Sequence, residues 1–158
     1  MDDRAPRVFA DVAACVEATL ARVGKRIVLC AAIGAGKPLA LINEFWRRAV
    51  ADPSIDLTIM TGLTLSKPRG KSELERRLVA PMAARIFGDG PDPAWLEPLH
   101  ASALPANVHV HEFFFEPGAW LGSAQAQQSY ASINYTHVAR AAIGDRVRPG
   151  HIGLTRTP

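Results

Sequence analysis

Three short runs, each closed by a loop of glycine, proline and small hydroxyl residues, constrain this chain most. Arg26 to Ala32 leads into Gly34-Ala35-Gly36-Lys37-Pro38, Ile55 to Met60 into Thr61 to Pro68, and Asn107 to Phe114 into Glu116-Pro117-Gly118. The run Ile27-Val28-Leu29-Cys30-Ala31-Ala32 is apolar without alternation, which predicts a parallel strand covered on both faces. Behind it, Leu39, Ile42, Phe45, Trp46 and Ala49 recur at helical spacing after Pro38, whose missing N–H costs nothing in a first turn. Strand, helix, strand is a βαβ unit. The expected fold is therefore α/β, an open, mainly parallel sheet with flanking helices. Ligands of such sheets bind outside the carboxyl ends of the strands, so function is expected in the three loops.

The remaining pattern supplies the helices. Phe9, Val12, Ala13, Val16, Leu20 and Val23 mark a first helix that stops at Gly24, and Asp52-Pro53 ends the second. Ser72 and Glu75 form an S-x-x-E capping box ahead of Leu74, Leu78 and Val79, with Pro81 expected to interrupt or restart that helix. Asp92-Pro93 opens a short helix through Trp95 and Leu99, while Ser123 to Ser132 and Thr136 to Ile143 are expected to be helical, with Gly144 as a stop. Residues 1–145 are expected to form one α/β domain. Residues 146–158, with Arg148-Pro149-Gly150 and Thr155-Arg156-Thr157-Pro158, read as an irregular tail, truncated or frame-altered.

Composition narrows the function classes. The 158 residues, 48% hydrophobic and 21% charged, suffice for one core. The excess of 18 Lys and Arg over 15 Asp and Glu is +3, scattered in pairs such as Arg47-Arg48 and Arg76-Arg77 rather than in the dense stripe that nucleic acid requires. Cys15 and Cys30 lack CxxC spacing and read as reduced, partly buried thiols of a cytoplasmic protein. The acidic start Met1-Asp2-Asp3-Arg4 has no apolar signal core, and no run reaches the roughly 18 apolar residues of a membrane span.

The glycine loop resembles two phosphate-binding motifs and fits neither. Gly36-Lys37 has Ala31 at the first glycine position of a Walker A loop and Pro38 where the magnesium-binding hydroxyl belongs. After Gly34 and Gly36, a dinucleotide fingerprint would need glycine where Leu39 stands. What remains is close backbone approach at two glycines beneath a helix start, or a tight turn with no ligand. In the second loop Thr61, Thr64 and Ser66 offer hydroxyl donors and Gly62 an exposed backbone, suited to a small carboxylate, although such hydroxyls also serve turns.

On the third strand, His109, His111 and Glu116 have the H-x-H-x-x-x-x-E spacing of a cupin metal site. The upstream half is α/β and Ala103 replaces the usual glycine, so a half-buried polar strand edge is the better reading and no metal is expected. Glu112, Glu116 and Glu44 read as strand-face, loop and helix-surface charges, none of them catalytic. His137 reads as a satisfied histidine at a helix start.

A family resemblance rests on longer strings. Glu112-Phe113-Phe114-Phe115-Glu116-Pro117-Gly118, Trp120-Leu121-Gly122, Ala126-Gln127-Gln128-Ser129-Tyr130 and Asn134-Tyr135-Thr136-His137-Val138-Ala139-Arg140 resemble the amino-terminal half of the acetyl-CoA hydrolase and CoA-transferase family. In the same order, so do Ile33-Gly34-Ala35-Gly36-Lys37-Pro38, Leu57 to Gly62 with Leu65-Ser66, and Leu74-Glu75-Arg76-Arg77. The resemblance implies two similar α/β halves with acyl-CoA between them. It also implies a glutamate in the second half that attacks the thioester, forms an acyl-glutamyl anhydride and then carries CoA to a carboxylate or yields to water. That half lies outside these 158 residues, so a second-half chain or a homodimer is an expected partner, and this chain alone is expected to be inactive. Coenzyme A enters as substrate, without a metal. The binding residues expected on this reading are Gly34, Gly36, Lys37, Thr61, Gly62, Ser66, Glu116, Gly118, Asn134 and His137. A stand-alone acyl-CoA or nucleotide-binding module without catalysis is the first alternative, and a metal enzyme built on His109 and His111 a weaker one.

Overall fold

The computed structural model describes residues 7–118, 120–143 and 152–154. Four parallel strands form one sheet in the order β3-β2-β1-β4, with β1 Arg26–Ala31, β2 Asp56–Thr61, β3 Val108–Glu112 and the short β4 Ile152–Leu154. The helices are α1 Val12–Val23, α2 Leu39–Ala51, α3 Glu73–Phe87, α4 Leu96–His100, α5 Ala124–Gln128 and α6 Tyr135–Ile143. The α/β class and the open parallel sheet expected from the sequence are thus present. Two details differ. Residues 152–154 pair with Leu29 to Ala31, so the segment expected to be irregular adds a strand. The segment expected to be helical from Ser123 to Ser132 leaves the helix at Ser129, and Tyr130 bridges to Glu112 on the free edge of β3, where Ala131 N donates to the Glu112 carbonyl at 2.9 Å.

Alternation along the strands decides what is buried. Ile27, Leu29, Leu57, Ile59, Val108 and Val110 project from one face into a core with Val16 of α1, Ile42, Phe45 and Ala49 of α2, and Trp95, Leu96, Leu99, Trp120 and Ala126. The opposite face carries a smaller cluster, Val28 and Met60 with Cys30 and Ile133 against them. It also presents Thr58 and His111, half-buried, and the exposed His109. The two-sided covering expected of β1 is therefore unequal among the described residues, deep on the α1 and α2 side and shallow on the other.

Helix α3 runs through Pro81 without a break. Its capping box is complete, with Ser72 accepting from Glu75 N and the Glu75 carboxylate accepting from Ser72 N, and the exposed Pro81 ring faces outward. The missing proline N–H weakens the helix locally, and the covered residues on either side of it are Val79 and Phe87, half-buried, and Ala83, buried.

Candidate functional site

At the carboxyl ends of β1, β2 and β3 the three loops are tied together by backbone groups and one lysine. Gly34, at φ 60°, turns the first loop in a conformation that suits glycine, so that its N–H donates to the Gly62 carbonyl at 3.2 Å. Lys37, 3% exposed, sends its Nζ inward to the carbonyls of Gly62 at 2.6 Å, Leu63 at 3.1 Å and Gly34 at 3.5 Å. Thr61, 1% exposed, donates its hydroxyl to the Ala32 carbonyl at 3.1 Å. The third loop joins through Leu63 N on the Phe114 carbonyl at 2.6 Å and Phe113 N on the Thr61 carbonyl at 3.2 Å. Gly62 lies against the Phe113 ring, where an added Cβ would come within 2.7 Å of Cε1.

Glu112 completes this junction, and its place corrects the sequence reading. Expected as a strand-face charge, it is fully buried, its carboxylate accepting from the Thr64 hydroxyl and, at 3.3 Å, from Thr64 N. The signal lay in the strand's own period: Val108, Val110 and Glu112 share the inward face, so the third member had to be buried with the first two. Burial pushes the Glu112 carboxyl upward, against the lowering effect of Thr64 and of the Lys37 charge. Lys37 is lowered to about 8 by burial, while the Glu112 charge and the three carbonyls around Nζ favour its ammonium form. Lysine and glutamate thus sit in one dry region, each compensated chiefly by main-chain groups and a threonine.

The candidate residues from the sequence divide into three places. Gly34, Lys37, Thr61 and Gly62 meet at the junction, but the polar side chains among them are turned into the protein, with their protons committed to main-chain carbonyls. Gly36, in the 3-10 turn Gly34–Gly36, and Ser66 are exposed beside them. A groove of about 440 Å³ opens here between the first loop and residues 88–93, with Gly34, Pro38, Leu65 and Lys67 along it. Its far wall is fixed by Asn43, which donates to the Asp92 carbonyl at 2.8 Å and accepts from Ala94 N at 2.9 Å. Arg69 pairs with the Asp92 carboxylate at 3.1 Å.

Glu116 and Gly118, the latter at φ 78°, border a second opening of about 490 Å³ whose walls include Phe114, Phe115, Trp120 and Tyr130. The rings are stacked in sequence, His100 on Trp120 at 4.0 Å, Trp120 near Phe115 at 5.0 Å and Phe115 on Tyr130 at 5.1 Å. Asn134 and His137 lie at the exposed start of α6, where the Asn134 Oδ1 contacts His137 Nδ1 at 2.7 Å and accepts from the Thr136 hydroxyl at 2.5 Å. Between them Tyr135 packs edge-on to Phe113 at 5.8 Å and against Phe114 at 6.5 Å, joining the α6 start to the third loop.

Other chemistry-bearing groups sit apart. His109 is exposed with Nε2 3.6 Å from Asp56, and among the described residues no three His, Cys, Asp or Glu side chains cluster as a metal ion would require. Glu44 accepts from Arg47 at 2.5 and 2.7 Å and from Arg48 at 3.0 Å, which holds it down at about 2 as a helix-surface ion network. Burial raises the Cys30 thiol, which opposes thiolate chemistry there. No helix of the described residues is long and apolar enough to cross a membrane.

Compared with family models, with curated proteins and with solved structures, the chain matches none of them.

Proposed function

We propose that this chain is the amino-terminal, loop-bearing half of an acyl-CoA hydrolase or CoA-transferase of the acetyl-CoA type, and that its strand-end loops form one wall of the acyl-CoA site. The observation that supports this reading best is the meeting of the resembling strings. The segment with Gly34 and Lys37, the one ending Thr61-Gly62, the E-F-F-F-x-P-G segment and the N-Y-T-H segment lie far apart in sequence, yet they bond or pack directly at one end of the sheet. That end is where a parallel α/β sheet places its ligand.

On this reading the buried groups shape the wall and the exposed ones touch the ligand. Lys37, Thr61 and Glu112 fix the loops, while Gly36, Ser66, Glu116 and the 440 Å³ groove face outward. Glu112 has no access to a thioester, so the attacking carboxylate comes from the second half that the resemblance implies. Residues 1–158 alone therefore bind acetyl-CoA weakly and do not turn it over. Calorimetric titration with acetyl-CoA, alongside a thioester-loss assay, tests this. Binding without turnover is the expected result. Turnover that survives removal of contaminants, or no heat into the millimolar range, would contradict the reading.

A further inference from the structure

The groove of about 440 Å³ beside the first loop has the walls of a site for an apolar chain. Val12 of α1, Pro38 and Leu39 at the start of α2, Leu65 of the second loop, and Ile86 and Phe87 at the end of α3 all border it. Two of these, Val12 at 37% and Ile86 at 62%, are exposed, so an occupant would cover apolar surface that the described residues leave open. The groove is also preformed. Lys67 ties the second loop to the far wall, its Nζ donating to the Gly88 carbonyl at 3.1 Å and its backbone N–H to the Asp92 carboxylate at 3.3 Å. Asn43 holds residues 92 and 94 from α2, so the two sides are braced in place without an occupant between them.

Charge and size decide what the groove accepts. The charged residues along it are Lys37, Lys67, Asp89 and Asp92, and both lysines are engaged with main-chain carbonyls, Lys37 within the junction and Lys67 at Gly88. Asp92 is paired with Arg69, and the exposed Asp89 has no ion pair among the described residues. A phosphate or a carboxylate entering here would meet two carboxylates, whereas an uncharged chain gives up no hydration of its own. Acetyl would fill little of the space. At about 30 Å³ for a water-sized group, the groove has room for on the order of a dozen methylenes.

We propose, resting on the acyl-CoA reading, that this groove holds the acyl chain and that the substrates are medium-chain acyl-CoA thioesters of about eight to ten carbons. The phosphates of coenzyme A stay outside it. The weak binding expected for acetyl-CoA then follows from a groove left nearly empty.

Calorimetric titration of the whole chain with the straight-chain series from acetyl-CoA to decanoyl-CoA, and with coenzyme A alone, tests this. Full burial of a methylene corresponds to about fourfold in affinity, so partial burial should give about twofold for each carbon added and about 60-fold from acetyl-CoA to octanoyl-CoA. Ala40→Trp, at an exposed position lining the groove from α2, and Ile86→Asp, on α3, should each reduce that ratio to below about fivefold. Circular dichroism confirms that each variant is folded, which exposed positions permit, and the wild-type series remains decisive if either is not. Octanoyl-CoA that binds no tighter than acetyl-CoA, coenzyme A alone that binds as tightly as octanoyl-CoA, or a ratio untouched by both variants would overturn the acyl-chain assignment and leave the acyl-CoA reading in place. No binding by any member of the series would overturn both.

Discussion

The loop junction and helix α3 invert the usual distribution of side chains in opposite ways. At the junction a lysine and a glutamate are buried, at 3% and 0% exposure, whereas on α3 two leucines, a methionine and an isoleucine are more than half exposed. Burying a charge is costly unless the protein supplies partners, and here three carbonyls and a threonine do so. Exposing a leucine costs little in the isolated chain, and nothing among the described residues covers it. The junction therefore belongs to the interior of the fold, while the α3 ridge faces away from the described residues. A change at the first should be felt as stability, and a polar change at the second should cost little.

The largest effect is expected at Lys37. Lys37→Met keeps the length of the side chain but leaves the Leu63 carbonyl without its Nζ donor and removes the positive charge near buried Glu112, which should cost about 3 kcal/mol in urea unfolding. A smaller loss would place the compensation for Glu112 in Thr64 alone. The pH profile sharpens the same comparison. With the folded amine near 8 and the unfolded one at 10.5, the unfolded chain holds more protons between those values, so this group makes the wild type gain stability as pH rises from about 8 to 10.5. Below 8 both states are charged and the slope disappears. The difference between wild type and Lys37→Met, measured at a series of pH values, should carry that rise, and a flat difference would mean that the carbonyls hold the ammonium charged throughout.

Gly62→Ala should come next. The new methyl carbon would meet the buried Phe113 ring at 2.7 and 2.9 Å, so ring or loop must shift, at a cost of about 1 to 3 kcal/mol in thermal or urea unfolding. The smallest effect belongs to α3. Met82→Gln, at a position 55% exposed, should change stability by less than about 0.5 kcal/mol. A large loss there would show that the ridge is packed within the chain and would erase the contrast with the junction.

Much of the fold was legible because local patterns and tertiary placement agree. Non-alternating Ile27 to Ala32, the helical spacing of Ile42, Phe45 and Ala49, and the Ser72 to Glu75 box each specify an element that the structure contains. Glu112 was legible too, through its parity with Val108 and Val110, but a charged residue invites an exposed reading unless the strand's period is followed to its end. What could not be read was long range. Lys37 reaches carbonyls 25 and 26 residues further along, and nothing near position 37 distinguishes an ammonium held by main chain from one offered to a phosphate. Likewise Leu74, Leu78, Met82 and Ile86 carry the pattern of a core-facing helix, and only their exposure beside the more buried Val79, Ala83 and Phe87 reveals that the ridge points away. Residues 152–154 follow a Pro-Gly stretch that predicts irregular chain, and their strand character comes from pairing with β1.

Hydrogen exchange of the whole chain, with and without millimolar acetyl-CoA, tests most directly the claim that the strand-end loops form a wall of an acyl-CoA site. Slower exchange is expected in residues 34–40, 62–67 and 113–118, with α3 unchanged between the two conditions. Loops that exchange equally fast with and without the ligand, or protection that appears on α3 and spares the loops, would contradict it.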